Sequence, residues 1–250
     1  MMSSPVLEAR NVVKELGQGA GKVRALKGVS LALMPGELTL LMGPSGSGKT
    51  TLLSILGCIL TPDEGSLTMA GRRVDGLSAE ELAAVRREHV GFIFQSYNLF
   101  PTLTALENVR LALDVRGASA AETIIKAETA LREVGLGHRL NSYPRNMSGG
   151  EQQRVAVARA LAGAPSVILA DEPTAALDSE NGHAVMALLA RIARDKSRAV
   201  LAVTHDPRTH AYADRIVRIE DGQITGEERR VEARKNVTRY DRTRKRKAHG

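Results

Sequence analysis

Apolar and polar positions alternate at the start of the chain. Residues 6–12 (VLEARNV) and 29–33 (VSLAL) show the period of two expected of half-buried strands. Pro35-Gly36 signals a turn, and residues 37–42 form a short apolar strand that runs straight into a glycine-rich stretch. The apolar run from Leu52 to Leu60 predicts a buried helix, stopped at Pro62, which cannot continue one. Residues 78–88 then read as helix and 90–94 as strand, while 104–162 carry few strand signals and are mostly helical by pattern. We read roughly 96–162 as a helical insert. Two further apolar strands, 167–170 and 199–203, bracket a helix near 179–194. Strands alternating with helices predict an α/β fold whose mostly parallel sheet is covered on both faces.

Composition narrows this picture. A chain of 250 residues, 43% hydrophobic and 25% charged, suits one large globular domain. Aromatics make up only 3% and tryptophan is absent, which disfavours nucleic-acid modules built on stacking platforms. The single cysteine, Cys58, excludes an internal disulfide and lies in an apolar run, as a small buried hydrophobe would. With no secretory pattern, a reducing cytoplasm is expected. No apolar stretch approaches the ~20 residues that span a bilayer.

The net charge of +7 is unevenly placed. Residues 226–250 hold ten Lys/Arg and four acids, so this segment carries six of the seven charges. We expect a body over 5–225 and a flexible basic tail over 226–250. The tail is either simply solvated, in contact with anionic lipid headgroups, or, third in order, bound to RNA.

The chemistry begins at Gly43-Pro44-Ser45-Gly46-Ser47-Gly48-Lys49-Thr50-Thr51, which satisfies G-x-x-x-x-G-K-[ST]. Its glycines let successive N–H groups turn inward onto phosphate oxygens, and a helix starting near Lys49 adds its positive end. Lys49 supplies charge to the β- and γ-phosphates, and the Thr50 hydroxyl is a hard donor for Mg²⁺. Downstream, the apolar strand 167–170 ends in Asp171-Glu172. Two adjacent acids at the end of a buried strand are costly unless they are used. Asp171 is assigned to Mg²⁺ and Glu172 to the attacking water of phosphoryl transfer. Ser148-Gly149-Gly150-Glu151 opens another helix as a capping box, and its two glycines expose N–H groups to an anion. The chain thus carries two phosphate-binding surfaces, and nothing local says that they face one pocket.

Together these segments resemble the nucleotide-binding subunit of an ABC transporter. Residues 43–50 resemble its Walker A motif, 167–172 its Walker B motif and 147–152 its signature. Phe94-Gln95 resembles the Q-loop, Ala176-Leu177-Asp178 the D-loop, and Thr204-His205-Asp206 the switch histidine, all in the family's order over about residues 5–225. The resemblance implies an ABC-type P-loop ATPase fold: an N-terminal antiparallel β subdomain, a mostly parallel core sheet and an inserted helical subdomain. It implies ATP and Mg²⁺, with Gln95 sensing Mg²⁺ and His205 contacting the γ-phosphate and the attacking water. It also implies a head-to-tail homodimer in which Ser148 of one copy caps the nucleotide held by Lys49 of the other. His89, His138, His183, His210 and His249 are left as surface or packing residues.

Residues 86–95 and 97–109 are similar to the branch that holds macrolide exporters (MacB type), lipoprotein-release ATPases (LolD type) and the heterocyst glycolipid exporter ATPase (DevA type). That likeness implies an integral membrane permease as partner, with or without a periplasmic adaptor, and a station on the cytoplasmic side of the inner membrane. Leu99, Phe100 and Leu103 are expected to be exposed where the permease docks. Two departures stand out. Met147 replaces the usual Leu of the signature, a near-isosteric change, and Leu16 stands where the family commonly has an adenine-stacking aromatic. Alternatives are a non-transporting regulator similar to the FtsE type and a soluble ABC ATPase acting on nucleic acid or ribosomes. The latter usually has two cassettes or a long coiled coil, and this chain shows neither.

Overall fold

The computed structural model describes residues 4–116 and 119–229. Two sheets organise the chain. The N-terminal sheet is antiparallel, with strands β1 (Leu7–Leu16), β2 (Val23–Leu33), β4 (Glu64–Met69) and β5 (Arg72–Arg73) in the order β2-β1-β4-β5. The central sheet has the order β10-β9-β3-β8-β7-β6. Its members are β3 (Leu38–Met42), β6 (Val90–Ile93), β7 (Val167–Asp171), β8 (Ala199–Val203), β9 (Arg215–Glu220) and β10 (Gln223–Arg229). Every pairing is parallel except the β9–β10 hairpin at one edge.

The central strands are apolar throughout because both faces are covered. On β7, Ile168 and Ala170 enter one core with the helices of the insert, while Val167 and Leu169 enter a second core with the N-terminal sheet. The first core is built with α3 (Ala105–Asp114), α4 (Ala120–Glu133), α5 (Gly149–Leu161) and α6 (Ser179–Ile192). The second takes in α1 (Lys49–Leu56) and α2 (Ala79–His89).

Among the described residues no strand lies between Ile93 and Val167, and α3, α4 and α5 occupy that interval. Three expectations need correction. The helix opened at Lys49 ends at Leu56, well before Pro62. Gly57 terminates it, lying so close to the Phe92 ring that a Cβ would fall 2.0 Å from Cζ, and Cys58 turns left-handed at φ 56°. Leu99 is partly buried against the core, and Leu103 is likewise not fully exposed, leaving Phe100 as the exposed apolar residue of that trio at 51%. Finally, β10 runs to Arg229, across the boundary drawn at 225/226, and it is held there by ion pairs. Arg229 meets Glu37 at 2.9 Å, and the buried Arg215 lies 3.5 Å from the same carboxylate. The rest of the basic segment, 230–250, lies outside the described residues.

Candidate functional site

At the carboxyl ends of the central strands an open cleft of about 630 Å³ is lined by the loop between β3 and α1, by Gln95, Asp171, Glu172 and His205, and by Leu16. This is the edge where open α/β sheets place ligands, because the loops that leave the strands are free to vary there.

The loop from Gly43 to Gly48 is shaped from both ends. Gly48 is the N-cap of α1 with φ 98°, and a Cβ there would meet the Ala25 carbonyl at 2.7 Å. Only glycine combines that backbone with that clearance. Because Gly48 has no side chain, no cap bond covers the first N–H groups of α1. These groups and the helix dipole favour an anion at this end of α1. Lys49 Nζ donates to the carbonyl oxygens of Gly43 and Pro44, at 2.8 and 2.6 Å. Ser45, Gly46, Gly48, Lys49, Thr50 and Thr51 line the cleft, whereas Gly43 and Ser47 do not. Gly43 sits against the Ile219 carbonyl, and the buried Ser47 accepts the Gly222 N–H through its own carbonyl at 3.1 Å.

Opposite this loop stand the two acids. Asp171 ends β7 half-buried. Burial, and secondarily the like charge of Glu172, push its carboxyl above the usual range, while Lys49 pulls the other way. No described residue donates a hydrogen bond to it. Glu172 leaves the strand with φ 46°, its N–H donating to the Val203 carbonyl at 3.0 Å. A left-handed glutamate is an unusual backbone state, and such residues concentrate where a side chain must be aimed. Here the Glu172 Oε1 lies 2.8 Å from His205 Nδ1, which donates to it. His205 is otherwise exposed, its side chain 72% accessible.

Ser148 caps α5 as expected: its Oγ accepts from Glu151 N–H at 3.2 Å, and its N–H donates to Glu151 Oε2 at 2.9 Å. That N–H bond, helped by Arg139 and opposed by desolvation, holds the Glu151 carboxyl below its ordinary value. Asp178 caps α6, accepting from Asn181 N–H at 2.9 Å. Neither Asp178 nor any residue of 148–151 lines the cleft of its own chain. The structure therefore brings together Leu16, Ser45, Gly46, residues 48–51, Gln95, Asp171, Glu172 and His205, and leaves the Ser148 helix start elsewhere.

Sequence reasoning missed Ala25, Ala175 and Val203, which complete the wall. It also missed the prop beneath the loop: Gly222, in the β9–β10 turn, donates to Ser47 and accepts from Lys27 N–H at 2.8 Å. The Asp221-Gly222 pair was the available turn signal.

Comparison with known proteins agrees with this geometry. The ABC transporter family pattern matches residues 26–175. Macrolide export ATP-binding/permease protein MacB of Shigella flexneri is 44% identical over 221 residues, covering 88% of this chain and 34% of that protein. The protein of the same name from Escherichia coli strain K12 is 45% identical over the same span. The chain thus spans about a third of the length of these curated relatives. Among solved structures, the dimeric post-hydrolysis state of the ATP-binding cassette MJ0796 bound to ADP and Pi is 43% identical, with a TM-score of 0.80, covering 89% of this chain and 98% of that one. A second dimeric structure of that cassette, described as a bacterial ABC transporter cassette, is 41% identical with the same TM-score. The family match over residues 26–175 and the 44–45% identity over 88% of the chain show that the chain belongs to the ABC transporter family.

Proposed function

We propose that the chain is the motor of an export or extraction complex: two copies close head to tail on ATP, and the closure drives an integral membrane permease. The observation that carries this reading is the division of the phosphate-binding groups. Lys49, Thr50, Asp171, Glu172 and His205 face one cleft, whereas the Ser148 cap with Gly149, Gly150 and Glu151 lies outside it. A second copy, turned end to end, brings its Ser148 helix to the γ-phosphate and its Asp178 to the joint. The dimeric form of the similar solved cassettes supports this arrangement.

The donor set also suits Mg²⁺. Thr50, Gln95 and Asp171 offer hard oxygens in one cleft, and Asp171 has no hydrogen-bond donor among the described residues to compete for it. Held there, Mg²⁺ would neutralise charge on the β- and γ-phosphates.

The chain's own residues do the rest. Loop N–H groups and Lys49 fix the phosphates in line with the attacking water. Glu172 takes a proton from that water as its oxygen bonds to the γ-phosphorus and the bond to the bridging oxygen of ADP breaks. His205 holds the Glu172 carboxylate and reaches the γ-phosphate, Gln95 reports the occupied site, and Leu16 covers the adenine.

For the partner, the exposed Phe100 just beyond Gln95 supplies an apolar contact, and the curated relatives are named ATP-binding/permease proteins. No helix among the described residues is long and apolar enough to cross a membrane. In this reading the chain sits on the cytoplasmic side of the inner membrane through its permease, which works with or without a periplasmic adaptor. The basic segment after Arg229 touches anionic lipid there. The test is to tag the chain, solubilise membranes gently and identify what is recovered with it. A permease with few membrane helices and a large periplasmic domain is expected, whereas recovery of the tagged chain from the soluble fraction with ribosomes or nucleic acid would refute the assignment.

A further inference from the structure

His205 is exposed, yet it must stand still to meet Glu172. The backbone on its left is fixed: Thr204 is fully buried, and its N–H donates to the Leu41 carbonyl at 3.2 Å. The right side is held by a residue with no role in the site so far. Arg208 Nε lies 3.0 Å from both carboxylate oxygens of Asp206, and its Nη2 lies 2.8 Å from one of them. The same guanidinium donates through Nη1 to Ser179 Oγ at 2.6 Å. Ser179 is the first residue of α6, directly after Asp178.

These contacts close a ring. From Glu172 the chain runs through residues 173–178 to Ser179, from Ser179 through Arg208 to Asp206, from Asp206 to His205, and from His205 back to Glu172 at 2.8 Å. Where α6 meets the segment after His205, only a small cavity of about 20 Å³ remains, lined by Thr174, Leu177, Asp178 and Arg208 among others. Outside it, the Asn181 side chain rests on Gly150 of the capped helix, where a Cβ would come within 2.3 Å of Asn181 Oδ1. A second tie between α6 and the 3₁₀ turn Pro207–Tyr212, His183 to Tyr212 at 3.0 Å, lies further along both elements and does not touch the ring.

We propose that Arg208 is a positioning residue: its fork straps the His205 segment to the start of α6, fixing His205 and Asp178 relative to each other around Glu172. The inference rests on the assignment of Glu172 and His205 made above. An exposed ion pair of this kind adds little to stability, since Arg208 is 58% accessible. Its effect is geometric, and it needs the planar fork rather than the charge, because one group must meet a carboxylate and a hydroxyl at once.

The experiment uses the full chain with Arg208→Ala, Arg208→Lys, Ser179→Ala and the double variant R208A/S179A, with His205→Ala as control. Each single alanine variant should lower kcat about three- to tenfold, and the double should be no worse than either, as for two halves of one contact. Affinity for ATP should stay within about twofold, because the strap touches no phosphate-binding group. Arg208→Lys, which keeps the charge and loses the fork, should remain impaired. Amide exchange should quicken in 173–179 and in 204–206 together in R208A. An unchanged kcat in R208A, full recovery in R208K, losses that multiply in the double variant, or faster exchange confined to 207–212 would each overturn the strap. If His205→Ala keeps the wild-type rate, the assignment of His205 falls, and the exchange pattern alone then decides whether the strap exists.

Discussion

Gly222 does not line the cleft, yet it is hydrogen-bonded to the loop that does. It lies in the turn between β9 and β10, at φ 76°, and an added Cβ would meet the Ala25 carbonyl at 2.6 Å. Its N–H and carbonyl link the phosphate loop, at Ser47, to β2, at Lys27. Gly222→Ala should therefore strain the turn by about 1–3 kcal/mol and loosen the loop. A lower thermal midpoint together with weaker nucleotide binding is expected, and a variant that binds and melts like the parent would show that the prop is dispensable. Leu16 gives the second prediction at this scale. It lines the cleft as an aliphatic residue, 39% exposed. Aliphatic contact grips a purine without the stacking and ring-edge geometry that an aromatic imposes. GTP should compete with ATP more effectively than it does in relatives with an aromatic there, and Leu16→Tyr should sharpen the preference. Strict ATP preference in the parent chain would sink this idea.

The elements carry the consequences of capping. α2, α3, α4 and α5 each open with a capping box, in which a Ser or Thr at the cap and a Glu three residues on satisfy each other's N–H groups. In α5 the Ser148 N–H holds the Glu151 carboxyl below its ordinary value of 4.5. A depressed carboxyl contributes stability that is fully present above the unfolded value and is lost as pH falls through the folded one. Glu151→Gln keeps the hydrogen-bond pattern and removes the charge. The thermal midpoint of the parent should fall more steeply than that of E151Q as pH drops below about 4.5, and parallel curves would contradict the role given to the carboxylate.

Of these boxes, the one at Ser148 was read from the sequence, because the S/T-x-x-E spacing is local. So were the strands 167–170 and 199–203, whose unbroken apolar runs follow from burial on both faces. The end of α1 was not legible. The apolar run continues past Leu56, and only the approach of Phe92 to Gly57 shows why the helix stops there. β9 and β10 went unread for a related reason. β10 (QITGEER) has a single apolar residue, Ile224, and is anchored by distant charges, its Arg229 and Arg215 of β9 both meeting Glu37. The cleft's loop and acids could be read from motif spacing, but its wall at Ala25 and Val203 could not, since small apolar residues carry no local signature.

At the scale of the whole molecule, the central claim is that one chain holds half of a catalytic site. Its Ser148 helix lies outside the cleft of its own chain, and in the proposed mechanism hydrolysis needs that helix from a second copy. Blocking the chemical step while leaving binding intact should trap the closed pair. Glu172→Gln retains the size and polarity of the side chain but cannot take the proton from water. With ATP and Mg²⁺, E172Q should hydrolyse very slowly and elute from gel filtration as a dimer. With ADP it should elute as a monomer, and adding Ser148→Arg should abolish the ATP-dependent dimer. An E172Q chain that stays monomeric in ATP, or that hydrolyses it at near the parent rate, would contradict the account.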